Sequence, residues 1–128
     1  LNEIFLELID SKSMINGDEE QLYRVFINLI KNSEDSISEK KKKNIDFKGK
    51  ISVEIKDNSD YITITLIDNG IGIADITKIM TPYFTTKTDG TGLGLPIVSK
   101  IINEHLGDIV ISNCKSGVKI LITLPKIK

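Results

Sequence analysis

Three glycines alternate in "TDGTGLGLPIVSKI", residues 88–101, just ahead of an apolar run at helical spacing. Gly90, Gly92 and Gly94 open the backbone N–H groups to close approach, and a helix start adds partial positive charge. The stretch therefore suits an anion such as phosphate. It is neither of the common phosphate loops. A dinucleotide fingerprint would need a glycine where Ile97 stands and a strand directly before it, and the Walker pattern G-x-x-x-x-G-K-[ST] is absent. The plain alternative is a tight loop whose glycines relieve crowding.

Three further features carry possible chemistry. Asn28 and Asn32, four residues apart, share one helix face at the edge of an apolar stripe. Asparagine is a poor helix former and costly where half-buried without partners. Its amide oxygen suits Mg²⁺, a hard cation that takes few protein ligands; two surface amides are the alternative. Asp68 ends the apolar run of "TLIDNGIGI" beside Gly70 and Gly72. A carboxylate there can accept a hydrogen bond from a flat ligand lying on bare backbone, or simply begin an Asp-Asn-Gly turn. Lys87, in "YFTTKTD", is either a point charge that closes over phosphate or a solvated loop lysine.

These residues need elements to hold them. "IFLELID" (4–10) reads as a first strand. Asp18 and Gln21 resemble a capping box, and Leu22, Val25, Phe26, Leu29, Ile30 and Ile37 recur at helical spacing, which predicts a helix from about Asp18 to Glu39. "EKKKKNIDFKGK" (39–50) reads as a solvated loop. "KISVEIKDNSDYITITLIDNG" reads as a hairpin about the turn "DNSD", and "GIADITKIM" as a short helix. Residues 92–106 read as another helix, and "GDIVISN" with "GVKILITLP" as a second hairpin. The expected fold class is α+β: a two-layer sandwich with a mixed, mostly antiparallel sheet of about five strands, covered on one face by about three helices. Residues 1–128 are expected to form a single domain.

The composition excludes other classes. The chain has 128 residues and a formal net charge of −1, so no global basic field points to nucleic acid. Its one cysteine, Cys114, forms no internal disulfide and fits a small strand residue in a reducing compartment. No apolar run approaches the roughly 20 residues that span a bilayer. The absence of an initial methionine suggests a piece of a longer protein.

In order, the chain carries N-x-x-x-N on a helix, D-x-G-x-G after a strand, F-T-T-K, then G-T-G-L-G-L opening a helix. Together these resemble the catalytic, ATP-binding domain of a two-component sensor histidine kinase. Its Bergerat fold is shared with DNA gyrase B, the Hsp90 chaperone and MutL. The likeness runs from "NGDEEQL" to "LPK", and "PYFTTK…GTGLGL" is most similar to the nitrogen-regulation type. The resemblance implies that Asn28 binds Mg²⁺ bridging the phosphates, with Asn32 near phosphates and metal. It implies that Asp68 accepts the adenine amino hydrogen, selecting ATP over GTP, while Gly70 and Gly72 let adenine approach. Phe84 matches the F-box aromatic, and Lys87 a basic residue near the γ-phosphate. Gly90, Thr91, Gly92, Leu93, Gly94 and Leu95 match the lid hinge and triphosphate loop. Asn28, Asn32 and Lys87 would be the catalytic set, with ATP and Mg²⁺ as cofactors.

The implied reaction passes the γ-phosphate to a histidine on a separate dimerisation domain, for relay to a response regulator receiver domain. The domain is expected to be cytoplasmic, in a membrane-anchored homodimeric parent, and to bind ATP without phosphorylating itself. An ATPase clamp of the gyrase or Hsp90 class and an anti-sigma-factor-like serine kinase are the alternatives. Members of the first group have a glutamate base four residues before the first asparagine; here Arg24 stands there, and an arginine takes no proton. A lysine frequent three residues after the second asparagine is replaced by Asp35. The final glycine motif is reduced to Gly117 after Ser116, a loss expected to concern structure more than binding. His105 lacks the following acidic residue of a phosphoacceptor and is expected to be a helix-end residue.

Overall fold

The computed structural model describes residues 3–8, 17–72, 94–114 and 117–126. Five strands form one sheet: β1 (Glu3–Leu8), β2 (Lys50–Asp57), β3 (Tyr61–Asp68), β4 (Asp108–Cys114) and β5 (Gly117–Pro125). Their order is β1-β2-β3-β5-β4. β1 runs parallel to β2 and the other neighbours are antiparallel. Two helices are described, α1 (Glu19–Lys43) and α2 (Gly94–Glu104). The short helix expected in "GIADITKIM" falls almost wholly outside the described residues.

α1 starts where its sequence provides a cap. Asp18 Oδ1 accepts from the backbone N–H of Gln21 at 3.1 Å, satisfying one of the first-turn donors. Glu19 and Glu20 occupy the first turn and Lys40–Lys43 the last, each matched to the nearer end of the helix dipole. The expected boundary near Glu39 is corrected by this last turn: the lysine run is helical, and the loop begins at Asn44. Lysine is a good helix former, and cations favour a helix C-terminus. The Glu39 carboxylate, by its hydrogen bond to Lys42 and then by its charge, holds the Lys42 ammonium above its ordinary range. That pair is exposed and carries little stability.

Alternation along the strands puts one face of the sheet under the helices. Ile64 and Leu66 of β3 stand opposite Ile122 and Ile120 of β5, and all four are buried. Val25, Leu29 and Ile37 of α1, with Val98, Ile101 and Ile102 of α2, close over them. Each such residue, fully buried, contributes about 1.5–3 kcal/mol of transfer free energy. The other face keeps Thr63, Thr65, Lys119 and Thr123 outward, as expected of a two-layer domain with one solvated sheet face. No helix among the described residues is long and apolar enough to cross a membrane.

The described part of α2 runs from Gly94, inside the glycine motif, to Glu104; residues 92 and 93 of the expected helix lie outside the described residues. Pro96 is tolerated because it lies in the first turn, where its missing N–H would have no helical partner. The helix ends in a full Schellman pair: Gly107 N–H donates to Ile102 O at 2.9 Å, and Leu106 N–H to Asn103 O at 3.0 Å. Leu106 takes the left-handed conformation there, with φ of 61°.

Candidate functional site

The site gathers where α1 passes the end of β3. The stripe Val25, Leu29, Ser33 and Ile37 faces the sheet and is buried. The next stripe round the helix carries Asn28, Asn32, Ser36 and Lys40, all half-buried. The four-residue spacing thus delivers both asparagines to one face beside the core.

Asp68 is the last residue of β3, on the helix-facing side, and only 3% exposed. Its Oδ1 accepts from the backbone N–H of Gly70 at 2.9 Å. No described residue bonds its other oxygen. A buried carboxylate oxygen without a partner is costly, and it marks a place for an N–H donor that the described residues do not supply.

The turn after Asp68 is held from three sides. Ser36 Oγ on α1 accepts from Ile71 N–H at 2.9 Å. Lys40 Nζ donates to Asn69 O at 3.2 Å and stands over the Phe47 ring. Asn69 Oδ1 accepts from Lys50 N–H at 2.7 Å, and its amide donates to Lys48 O at 3.1 Å. From the third side comes Gly117, at the start of β5, with φ of +139°. A Cβ there would collide with the Asp68 carbonyl oxygen and come within 2.9 Å of Oδ1. The motif reduced to Gly117 is expected to be structural, and Gly117 packs directly on the Asp68 backbone and carboxylate. Gly72 also has positive φ, +80°.

Of the residues singled out in the sequence, Asp68, Gly70 and Gly72 lie at and just after the end of β3, in a turn seated on α1 at Ser36, and Asn28 and Asn32 lie two turns and one turn before Ser36 on the same helix. Gly94 is the first residue of α2, and Leu95 packs half-buried against the core. Phe84, Lys87, Gly90, Thr91, Gly92 and Leu93 lie outside the described residues. Ser36, Lys40 and Asn69 were not singled out; their only sequence signal is that Ser36 and Lys40 continue the four-residue spacing of the asparagines.

The remaining candidates are placed elsewhere. Arg24 is exposed on α1. Both ring nitrogens of His105 are engaged: Nδ1 lies 2.8 Å from Ile101 O, and Nε2 lies 2.9 Å from the backbone N of Asp18. Because Asp18 N–H can only donate, Nε2 accepts and Nδ1 carries the proton. The C-terminal end of α2 is thereby fastened to the N-cap of α1. Counted from that joint at 1.5 Å per residue, Asn28 lies about 15 Å along α1 and Gly94 about 16 Å back along α2. Among the described residues no group of three or more His, Cys, Asp or Glu side chains could hold a metal ion.

The comparisons with known proteins bear on the family and the fold. The profile of the family described as "Histidine kinase-, DNA gyrase B-, and HSP90-like ATPase" matches residues 17–128. The chain is 41% identical over 117 residues to the sensor histidine kinase ZraS of Salmonella typhimurium, covering 88% of this chain and 23% of that protein. It is 37% identical over 131 residues to sporulation kinase A of Bacillus subtilis, covering 98% of this chain and 20% of that protein. It therefore spans about a sixth to a quarter of the length of the curated relatives reported for it. The solved catalytic domain of histidine kinase ThkA superposes with a TM-score of 0.80 at 31% identity, covering 97% of this chain and 78% of that one. Relatives from several regulatory systems match at similar identity, which fixes the kind of kinase and not the nitrogen-regulation subgroup. The chain belongs to the histidine kinase-, DNA gyrase B- and HSP90-like ATPase family, and within it is a catalytic, ATP-binding domain of the sensor-histidine-kinase kind.

Proposed function

We propose that this domain binds Mg²⁺-ATP and passes the γ-phosphate to a histidine on a separate dimerisation domain of its parent protein, for relay to a response regulator receiver domain. The observation that carries the reading is Asp68, buried with one oxygen held by Gly70 N–H and the other lacking a partner among the described residues. Adenine has an amino donor to give that oxygen; guanine at the same edge has a carbonyl, which would set two acceptors against each other. Gly70 and Gly72 keep the adjoining surface low enough for a flat ring.

The carboxamides of Asn28 and Asn32 suit a small hard cation. When bound, magnesium would draw charge from the phosphate oxygens. The protein's part is positioning. α1 presents the asparagines, the first turn of α2 offers N–H groups to the triphosphate, and Lys87 adds a cation from the intervening segment. Arg24 offers no base to activate water, which favours transfer over hydrolysis. The engagement of both His105 nitrogens supports an acceptor histidine outside this chain. The parent is proposed to be a membrane-anchored homodimer with this domain in the cytoplasm.

Calorimetric titration of the chain with ATP, with and without Mg²⁺ and against GTP, tests the reading. ATP-selective binding that weakens roughly 10- to 100-fold in Asp68→Asn, at unchanged circular dichroism, is expected, the size for a hydrogen bond to a charged group. Equal affinity for ATP in the variant would remove Asp68 from the base site.

A further inference from the structure

We propose that Ser36 is the positioning residue of the base site, setting the distance between the asparagine face of α1 and the Asp68 turn. The inference rests on the nucleotide reading above and extends it to a residue with no obvious role in the sequence.

Two successive peptide N–H groups after Asp68 are captured from opposite sides. The Gly70 N–H goes to Asp68 Oδ1 at 2.9 Å, and the Ile71 N–H goes to Ser36 Oγ at 2.9 Å. The first bond ties the turn to the carboxylate; the second ties it to α1. Contact is close as well as polar. A Cβ on Gly70 would collide with Ser36 Oγ and come within 2.7 Å of Ser36 Cβ and 2.8 Å of its carbonyl carbon. The turn is therefore seated on α1 at Ser36, two helical turns beyond Asn28 and one beyond Asn32 on the same face. One rigid helix thus carries both the amides proposed for the metal and the seat of the base-binding turn.

Ser36 acts through Asp68 rather than as a general prop. Ile71 is 49% exposed, so water can replace the serine at its N–H and the fold tolerates the loss. Without the serine, the turn keeps its bond to Asp68, its ties through Asn69 and the long Lys40 side-chain contact from α1, but loses the short hydrogen bond that seats Ile71 directly on the helix. The cost then falls on ligands that reach from the base to the phosphates.

The test uses three ligands and four proteins: ATP, GTP and Mg²⁺-tripolyphosphate (which lacks base and sugar), against wild type, Ser36→Ala, Asp68→Asn and the double variant. ATP affinity is expected to fall about three- to tenfold in Ser36→Ala, the size of one net hydrogen bond, with tripolyphosphate affinity unchanged. In the Asp68→Asn background the serine substitution is expected to have no further effect, because the two act as one unit. Unchanged ATP affinity in Ser36→Ala overturns the proposal. So does an equal loss for ATP and tripolyphosphate, which would mark a general structural role. A wild-type chain that binds tripolyphosphate but not ATP overturns the base-site reading itself, and the Ser36 role with it.

Discussion

At the residue scale, a buried carboxylate and the small residues packed on it define the site. Asp68 is tolerable at 3% exposure because Gly70 N–H takes one oxygen, and the absence of side chains at Gly70 and Gly117 lets other backbone close around it. Gly117 shows the dependence best. Its φ of +139° is a conformation that residues with a Cβ rarely adopt, and the atom an alanine would add meets the Asp68 carbonyl. Gly117→Ala is expected to destabilise the domain by about 2–3 kcal/mol and to weaken ATP binding with it. Urea denaturation and titration of the same sample would check both; an alanine variant of wild-type stability would show that β5 accommodates the methyl by moving away. Asp68 could be picked out in the sequence because a charged residue closing an apolar run is out of pattern. Gly117 could not be ranked there, since a glycine between two strands is the commonest of turn signals and the neighbour it makes room for is 49 positions away.

Elements were legible where their information is local. The alternation in β2, β3 and β5 and the period of α1 gave two hairpins and the long helix. The lysine run reads as a loop because charge suggests solvation, whereas helix propensity and the dipole favour one more turn. The parallel pairing of β1 with β2 had no local signal, because periodicity says which face a strand buries and not which strand lies beside it. The end of α2 is a subtler case. Gly107 looks like the left-handed capping glycine, yet that conformation falls one residue earlier, on Leu106, which is 85% exposed. Gly107 is needed for another reason: a Cβ there would come within 2.5 Å of Thr123 O. A leucine held left-handed with its side chain in water costs strain and gains no burial. Leu106→Gly is therefore expected to stabilise the domain by about 0.5–1 kcal/mol, or roughly 2–4 °C in melting temperature. A scanning-calorimetry trace with an unchanged or lower midpoint would show that the leucine has an apolar contact in solution.

At the scale of the whole molecule, the described elements form a frame suited to the proposed role of presenting phosphate to an acceptor on another domain. The two helices among the described residues lie on one sheet face, fastened at one end by His105, and Asn28 and the first turn of α2 lie at similar distances from that joint. The single histidine is occupied in this way, with one ring nitrogen donating to Ile101 O and the other accepting from Asp18 N–H, so neither is free to attack phosphorus. Incubated alone with labelled Mg²⁺-ATP, the chain is expected to incorporate no phosphate. Hydrolysis should be slow as well, since Arg24 cannot serve as the base that activates water. Supplied in trans with a histidine-bearing dimerisation domain, the chain is expected to produce a phosphoprotein that is acid-labile and base-stable, which separates phosphohistidine from phosphoserine. Asn28→Ala should then reduce transfer on the order of 100-fold or more and remove the difference in ATP affinity between magnesium and chelator, while leaving the preference for ATP over GTP intact. That split follows from the geometry: Asn28 lies two helical turns from the Ser36 seat of the base turn, so metal and base should fail separately. If Asn28→Ala abolished base preference as well, the two ends of the site would be one cooperative unit; if magnesium dependence persisted, the cation would rest on residues other than Asn28.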